Sequence, residues 1–272
     1  MRVLLDYKGG ILIKYFCITD IHGFYDEMKA ALDEAGFDSE NENHTLISCG
    51  DVVDRGKRPN EVIKYLVNLP RKILIRGNHE DLLDDLIKGT GPMMHDMQNG
   101  TYDTLVQLAS KHHKVNYGTN ITKSYAQYMD FGELSGYAAK EKTYRAYKEL
   151  LVDYFETEHY IFVHGWIPTI TTNELVGGKI FHKEQYMPNW REATPKEWIN
   201  ARWTSGFNCT VQKVFEPNKT IVCGHWHAAA WHEYFEGAKP FTVHTPYVTK
   251  DVIAMDTCTA LSKKVNVFVI ED

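Results

Sequence analysis

The sequence predicts an α/β fold built on parallel strands, from two observations. A short apolar run ending in a polar, glycine-bearing turn recurs five times, and helical patterns separate the first three of these runs. Strand, helix, strand, helix, strand implies βαβ units.

The five runs are KYFCITD, ending at Asp20; HTLISCGD, ending at Asp51; KILIRGNH, ending at Asn78 and His79; YIFVHG, carrying His164; and TIVCGHWH, carrying His225 and His227. Each is rich in Ile, Val, Leu, Phe or Tyr, as buried strands are. The intervening FYDEMKAALDEAGF and RPNEVIKYLVNL place apolar residues at helical spacing. Ligands of open α/β sheets bind beyond the carboxyl ends of the strands, which is where all five turns fall. From 81 to 155 the chain reads as a mostly helical insertion in a single domain spanning 1–272, with breaks near GTGP and NYGTN. Residues 166–200 read as loop-rich, with Pro168, Gly177, Gly178, Pro188 and Pro195, and are expected to overlie the turns. DVIAMDTCTALSKKVNVFVIED reads as two strands joined by a turn, and MRVLLDYKGGILIKYF as one or two strands about Gly9 and Gly10.

Composition narrows the class. The chain has 272 residues, 43% hydrophobic and 24% charged, which is ordinary for a folded protein and wrong for a disordered one. A net charge of -6 disfavours a general nucleic-acid binder. The five cysteines, Cys17, Cys49, Cys209, Cys223 and Cys258, show no CxxC spacing and read as small buried hydrophobes in a reducing compartment. No apolar stretch approaches the roughly 20 residues of a membrane span, and no basic segment leads into an apolar signal core. The expectation is a cytoplasmic protein with no membrane partner.

The turns carry the chemistry. Asp20 and His22 lie two residues apart, so on extended backbone they point the same way and can grip one cation; alone, the pair is a weak signal, better read as a turn aspartate and a surface histidine. In GDVVDRG, Asp51 follows an apolar strand, and its two carboxylate oxygens can bridge two cations about 3.5–4 Å apart. Asp54 and Arg55 follow on the same turn. In GNHE, Asn78 offers a neutral oxygen and His79 an acid or a phosphate contact, although both also suit a helix N-terminus. His164 and His225 each follow an apolar strand. Taken singly, each has a purely structural reading; five such turns in one chain do not.

DIHG, GDVVDRG, GNHE, VHG and GHWH, in this order between residues 20 and 227, resemble the signature of the calcineurin-like metallophosphoesterases. Intact GDVVDRG and GNHE are similar to the phosphoprotein phosphatase branch, and within it to compact bacterial and phage serine/threonine phosphatases and their diadenosine tetraphosphate hydrolase relatives. IAMDTCTALSKKVNVFVI resembles the closing strands of these proteins. The resemblance implies a sandwich of two mixed β-sheets flanked by helices. It implies that Asp20, His22 and Asp51 hold one divalent ion, and Asp51, Asn78, His164 and His225 a second. Two divalent ions with two carboxylates and a bridging hydroxide leave about +1, which favours a phosphate. His79 would assist the leaving oxygen, with Asp54 orienting it. Arg55 would clasp phosphate oxygens beside Asn78; Arg202 of WINARW is either a second phosphate arginine or a solvated or packing one.

Two features depart from the pattern. Trp166 follows VHG where the family often has glycine, so it either narrows the pocket or joins the core. GHWH adds His227, which in the wider superfamily reaches the first metal and is otherwise a neighbour of the ligands. His112, His113, His182, His232 and His244 carry no such signal. The expected activity is a phosphomonoesterase acting on phosphoserine or phosphothreonine proteins, or on small phosphoesters, by direct attack of metal-bound hydroxide. The alternatives are a hydrolase of dinucleoside polyphosphates or other nucleotides, and an inactive binding module that keeps the fold. Oxygen and nitrogen ligands without thiolate fit Mn foremost, and also Fe, Zn or Co.

Overall fold

The structure is a computed structural model that describes residues 13–110, 130–177 and 179–272. The strand reading for the first twelve residues, the NYGTN break, His112 and His113 lie outside the described residues.

The chain lays down β1 (Lys14–Ile18), α1 (Tyr25–Glu34), β2 (His44–Ser48), α2 (Pro59–Asn68) and β3 (Lys72–Ile75) as two successive βαβ units. α3 (Asn78–Lys88), α4 (Met94–Asn99), α5 (Thr101–Ser110), α6 (Phe131–Lys140) and α7 (Lys142–Leu150) follow, then β4 (Leu151–Val152), β5 (Phe155–Glu156) and β6 (Tyr160–Phe162). After β7 (Thr169–Val176) and β8 (Lys179–Tyr186) come α8 (Pro195–Trp203), α9 (Gly206–Val211), β9 (Thr220–His227) and α10 (Ala228–Glu236). The chain ends with β10 (Tyr247–Val248), β11 (Val252–Asp256), α11 (Thr259–Ser262) and β12 (Phe268–Glu271).

Two mixed sheets result. The first runs β12-β1-β2-β3-β4 and the second β10-β11-β9-β6-β5. β1, β2, β3 and β4 are mutually parallel with β12 antiparallel at the edge; β6, β9 and β11 are parallel, edged by antiparallel β5 and β10.

The apolar runs are continuous because both faces of each sheet are covered. Tyr15, Cys17, Ile47, Cys49, Ile73 and Ile75 face Phe162, Val222, Ile253 and Met255 between the sheets. Their neighbours Phe16, Ile18, Leu46 and Leu74 point the other way, as alternation requires, onto a layer that includes Met28, Leu32, Val62, Leu66, Leu83, Leu105 and Tyr147. Ile161, Val163, Ile221 and Cys223 face a second outer layer with Trp166, Trp190, Trp198 and Trp231. Trp166 is therefore core, its indole N–H donating to the Val214 carbonyl at 3.1 Å. All five cysteines are buried and unpaired. Among the described residues no helix is long and apolar enough to cross a membrane.

Two expectations need correction. Residues 166–200 hold an antiparallel hairpin, β7 with β8, that joins neither sheet. Its first strand, TITTNELV, lacks apolar alternation because Ile170 and Leu175 are exposed, so the usual strand signal is missing. Nor does this segment cover the turns: no described residue of 166–200 lines the cleft they form. The two strands read at the end of the chain are present as β11 and β12. β11 lies beside β9 in the second sheet, and β12 crosses to β1 in the first.

Candidate metal centre

Parallel register brings the turns together. Ile18 lies opposite Ser48, and Ser48 opposite Leu74, so Asp20, Asp51 and Asn78 leave adjacent strands of the first sheet at one end. Phe162 lies opposite Val222, which sends His164 and His225 out of the second sheet towards them. The turns then interlock through backbone bonds: His22 N–H to the Asp51 carbonyl at 2.9 Å, Gly56 N–H to the His22 carbonyl at 2.7 Å, and Gly224 N–H to the His164 carbonyl at 2.8 Å.

These turns are strained. Asp20 (φ 50°), His22 (48°), Asp51 (55°), Asp54 (72°), Arg55 (56°) and His225 (62°) all occupy the left-handed region. Such backbone costs roughly 1–3 kcal/mol per residue and persists where the surroundings over-determine it. Two glycines let carboxylates approach the backbone. A Cβ on Gly77 would stand 2.2 Å from Asp51 Oδ1, and one on Gly224 would stand 2.2 Å from Asp20 Oδ2.

Two histidines of the centre fix one ring nitrogen on a backbone carbonyl: His22 Nδ1 donates to Val53 at 2.9 Å, and His164 Nδ1 to Cys49 at 2.8 Å. This is how metal-binding imidazoles are held: the bonded nitrogen sets the tautomer and the other presents its lone pair. The free Nε2 of His22 lies 3.8 Å from Asp51 Oδ2 and 3.9 Å from Asp20 Oδ1. His164 Nε2 is hydrogen-bonded to Asn78 Oδ1 at 2.8 Å and lies 3.3 Å from Asp51 Oδ1. Donor atoms of His22, Asp51 and His79, and again of Asp51, His164 and His225, lie within 4.8 Å of one another. Asp51 belongs to both groups, and its two oxygens face different ones.

Electrostatics match a demand for positive charge. Burial pushes the pKa of His22 well below its ordinary value and that of His225 down to about 4, aided by His79 and His164 respectively, so both stay neutral and able to ligate. Burial would also lower His164, but Asp51 and Asp20 outweigh it and raise His164 to about 10. A field that holds a proton there would hold a cation in its place. Burial raises Asp20, with Asp51 adding to it, while the surrounding histidines outweigh burial to keep Asp51 well below the usual carboxylate range. The donor set thus fits two divalent cations sharing Asp51.

Beside it, His79 Nδ1 meets Asp54 Oδ2 at 2.7 Å, and Arg55 Nη2 lies 3.4 Å from His79 Nε2. Arg55, Asn78 and His79 all line a cleft of about 140 Å³ over the donors. His227 also lines it, but joins neither donor group; its Nε2 lies 3.7 Å from Asp256 Oδ2. Arg202 is elsewhere. It is buried, with its guanidinium bound to Asp81 at 2.6 Å and Asp153 at 2.7 Å.

Three features escaped the sequence reading. Glu80 accepts the backbone N–H groups of Asp51, Val52 and Gly77 at 3.0, 2.9 and 2.8 Å, and so shapes the loop that carries Asp51. Thr101 and Thr104, at the start of α5, donate to Asp54 at 2.7 and 3.0 Å, so the helical segment after β3 braces the His79–Asp54 pair. Asp256 lines the cleft, buried to 3% exposure, where a register shift in β11 sets it opposite His227. Its signal was present: VIAMD is an apolar run ending in aspartate, like the run before Asp51.

Known proteins share parts of this chain. The asymmetrical bis(5'-nucleosyl)-tetraphosphatase PrpE of Bacillus subtilis is 35% identical over 94 residues, 31% of this chain and 38% of that protein. A symmetrical bis(5'-nucleosyl)-tetraphosphatase of Coxiella burnetii is 32% identical over 96 residues, 35% of this chain and 32% of that protein. These matches span well under half of either relative. Among solved structures, a cold-active protein-tyrosine phosphatase of a psychrophilic Shewanella superposes with TM-score 0.53 at 15% identity, over 100% of this chain and 78% of that one, which shows a common fold. The family match itself is far longer: it runs over residues 13–229, takes in every turn from Asp20 to His227, and makes this chain a member of the calcineurin-like phosphoesterase family.

Proposed function

We propose that this protein hydrolyses phosphoesters by direct attack of an activated water, without a covalent phosphoenzyme. The observation that carries the reading is Asp51, shared by two donor groups that face one cleft with Arg55 and the His79–Asp54 pair. Two divalent ions held there would supply Lewis acidity to the phosphate and lower the pKa of water. Asp51 would bridge them, with Asp20 and His22 on one side and Asn78, His164 and His225 on the other. Arg55 would bind phosphate oxygens through its planar fork. His79, its Nδ1 held by Asp54, would deliver a proton from Nε2 to the leaving oxygen. Manganese is the metal we favour; Fe, Zn and Co suit the same oxygen and nitrogen donors.

For substrate we favour a dinucleoside polyphosphate, because the curated relatives at 35% and 32% identity carry that activity in their names. The intact GDVVDRG and GNHE turns support a second reading, phosphoserine or phosphothreonine in proteins, which uses the same catalytic groups. Phosphate release from diadenosine tetraphosphate and from phosphoserine and phosphothreonine peptides, after chelation and after refilling with each metal, tests both. Turnover that vanishes on chelation and returns with metal is expected. No release from any substrate with any metal would leave only a binding module.

A further inference from the structure

Two exposed aromatic side chains stand beside the donor groups, and the hydrolytic machinery uses neither. Trp203, the last residue of α8, lines the cleft and is 48% exposed. Its ring lies 6.0 Å from that of His225, edge to face at 83°. Phe241 is 55% exposed, with its ring 5.8 Å from that of His227 at 66°. His225 and His227 are two residues apart at the end of β9. Each histidine therefore has an open aromatic ring at its side.

The backbone at Phe241 adds an independent observation. Its φ is 53°, a conformation that bulky side chains rarely adopt. The turn that contains it is closed by Thr242, which donates to the Lys239 carbonyl through both its N–H, at 3.3 Å, and its hydroxyl, at 2.8 Å. Strain held in this way collects at ligand clamps. Here its result is a phenyl ring presented to solvent next to the cleft. Neither Trp203 nor Phe241 belongs to the three packed cores.

A flat apolar face beside a phosphate-binding floor suits a nucleobase, since every base has a π-face to stack. A phosphoserine side chain has no ring to place there. We infer that Trp203 and Phe241 are stacking platforms for the bases of a nucleotide substrate, a mononucleotide covering one and a dinucleoside polyphosphate both. The inference rests on the proposed function for the position of the phosphate.

Calorimetric titration of the Mn-filled protein with AMP, ribose 5-phosphate and adenosine tests it. AMP and ribose 5-phosphate share the phosphate and differ in the base. AMP should bind about 5- to 150-fold more tightly, the span that base–aromatic stacking supplies. That advantage should collapse towards unity in Trp203→Ala or in Phe241→Ala, and survive in Trp203→Phe or Phe241→Tyr, which keep a ring. Diadenosine tetraphosphate should weaken in either alanine variant. Thermal melts establish that each variant is folded. Equal binding of AMP and ribose 5-phosphate by the wild type overturns the inference, as does an AMP advantage that survives Trp203→Ala and Phe241→Ala together. The underlying function is judged separately, by whether ribose 5-phosphate binding needs the metal. Should that fail, adenosine binding still reads the platforms: its loss in the alanine variants supports them, and its absence in the wild type removes them.

Discussion

His79 Nδ1 and Asp54 Oδ2 lie 2.7 Å apart, buried, with the imidazole's other nitrogen facing the cleft beside Arg55. Burial works against a proton on His79, yet Asp51 and Asp54 outweigh it and raise its pKa above the ordinary histidine value. The geometry is that of a proton donor held in one orientation, although His79 also stands near enough to His22 and Asp51 to be counted among cation donors.

His79→Asn separates these roles. As the acid, His79 matters most for a poor leaving group such as an alkoxide and less for p-nitrophenolate. The variant should keep both ions by elemental analysis. Its kcat should fall by roughly 10²–10⁴ on an alkyl phosphate, the usual range for acid–base catalysis, and by less on p-nitrophenyl phosphate. Asp54→Asn should show a milder form of the same pattern. Loss of metal would place His79 among the ligands; equal losses on both substrates would leave it a phosphate contact.

Glu80 supports Asp51 from below. It is 1% exposed, and its two oxygens accept three backbone N–H groups. Glutamine replaces one of those acceptors with a donor, so at least one buried N–H loses its partner, at a cost of about 1–3 kcal/mol. Because the loop displaced is the one carrying Asp51, Glu80→Gln should lower both the melting temperature and the divalent ion retained after dialysis. A variant that melts lower but keeps both ions would show that Glu80 supports the fold without setting the centre.

The strands were legible because burial on both faces makes them apolar, and the ligand turns because a carboxylate or imidazole at the end of such a run has little structural reason to be there. The paired sheets came through the family resemblance, since periodicity marks a strand without naming its neighbour. Asp256 was missed for the same reason: its place opposite His227 comes from the pairing of β11 with β9, which periodicity does not report. The hairpin of β7 with β8 was missed because β7 is mostly polar and its Ile170 and Leu175 are exposed. Arg202 carried both a phosphate and a packing reading, and nothing local decides between them because its partner Asp81 lies 121 residues away.

Arg55 and Arg202 should accordingly behave as opposites. Arg202 joins α8 to Asp81 at the start of α3, and Asp81 also binds Arg76 at 2.6 Å. Arg202→Ala should destabilise the fold by about 1–3 kcal/mol, as loss of a charged, largely buried hydrogen-bond partner does, and leave competitive inhibition by inorganic phosphate nearly unchanged. Arg55→Ala should weaken phosphate inhibition by about 10- to 100-fold, the equivalent of one charge-assisted contact. Denaturant melts and inhibition constants measure the two effects. A large loss of phosphate affinity in Arg202→Ala would return that residue to the site.

Asp84 gives the fold a dependence on acid that does not involve the metal centre. It is 4% exposed and meets Arg76 Nη2 at 2.6 Å, Lys148 Nζ at 2.6 Å and the Tyr144 hydroxyl at 2.9 Å. Burial alone would raise its pKa, but Lys148, Arg76 and Tyr144 outweigh burial and hold it below the ordinary aspartate value. A carboxylate depressed by folding binds its proton more readily in the unfolded chain. Its contribution is therefore fully present above the unfolded pKa of about 3.9, and is lost as pH falls through the lower folded value. Asp84→Asn removes the charge at every pH while keeping the shape. At pH 7 the variant should be less stable by about 2 kcal/mol, in the range for hydrogen bonds to a charged group, with both cations partly exposed to solvent. On acidification below about pH 4 the wild type should lose stability faster, so the two denaturant curves converge. Melts of the metal-free protein from pH 7 down to pH 2.5 follow this without interference from ligand protonation at Asp51. A stability gap that stays constant through the acid range would mean that Asp84 acts through packing, and that its pKa is not depressed by its three partners.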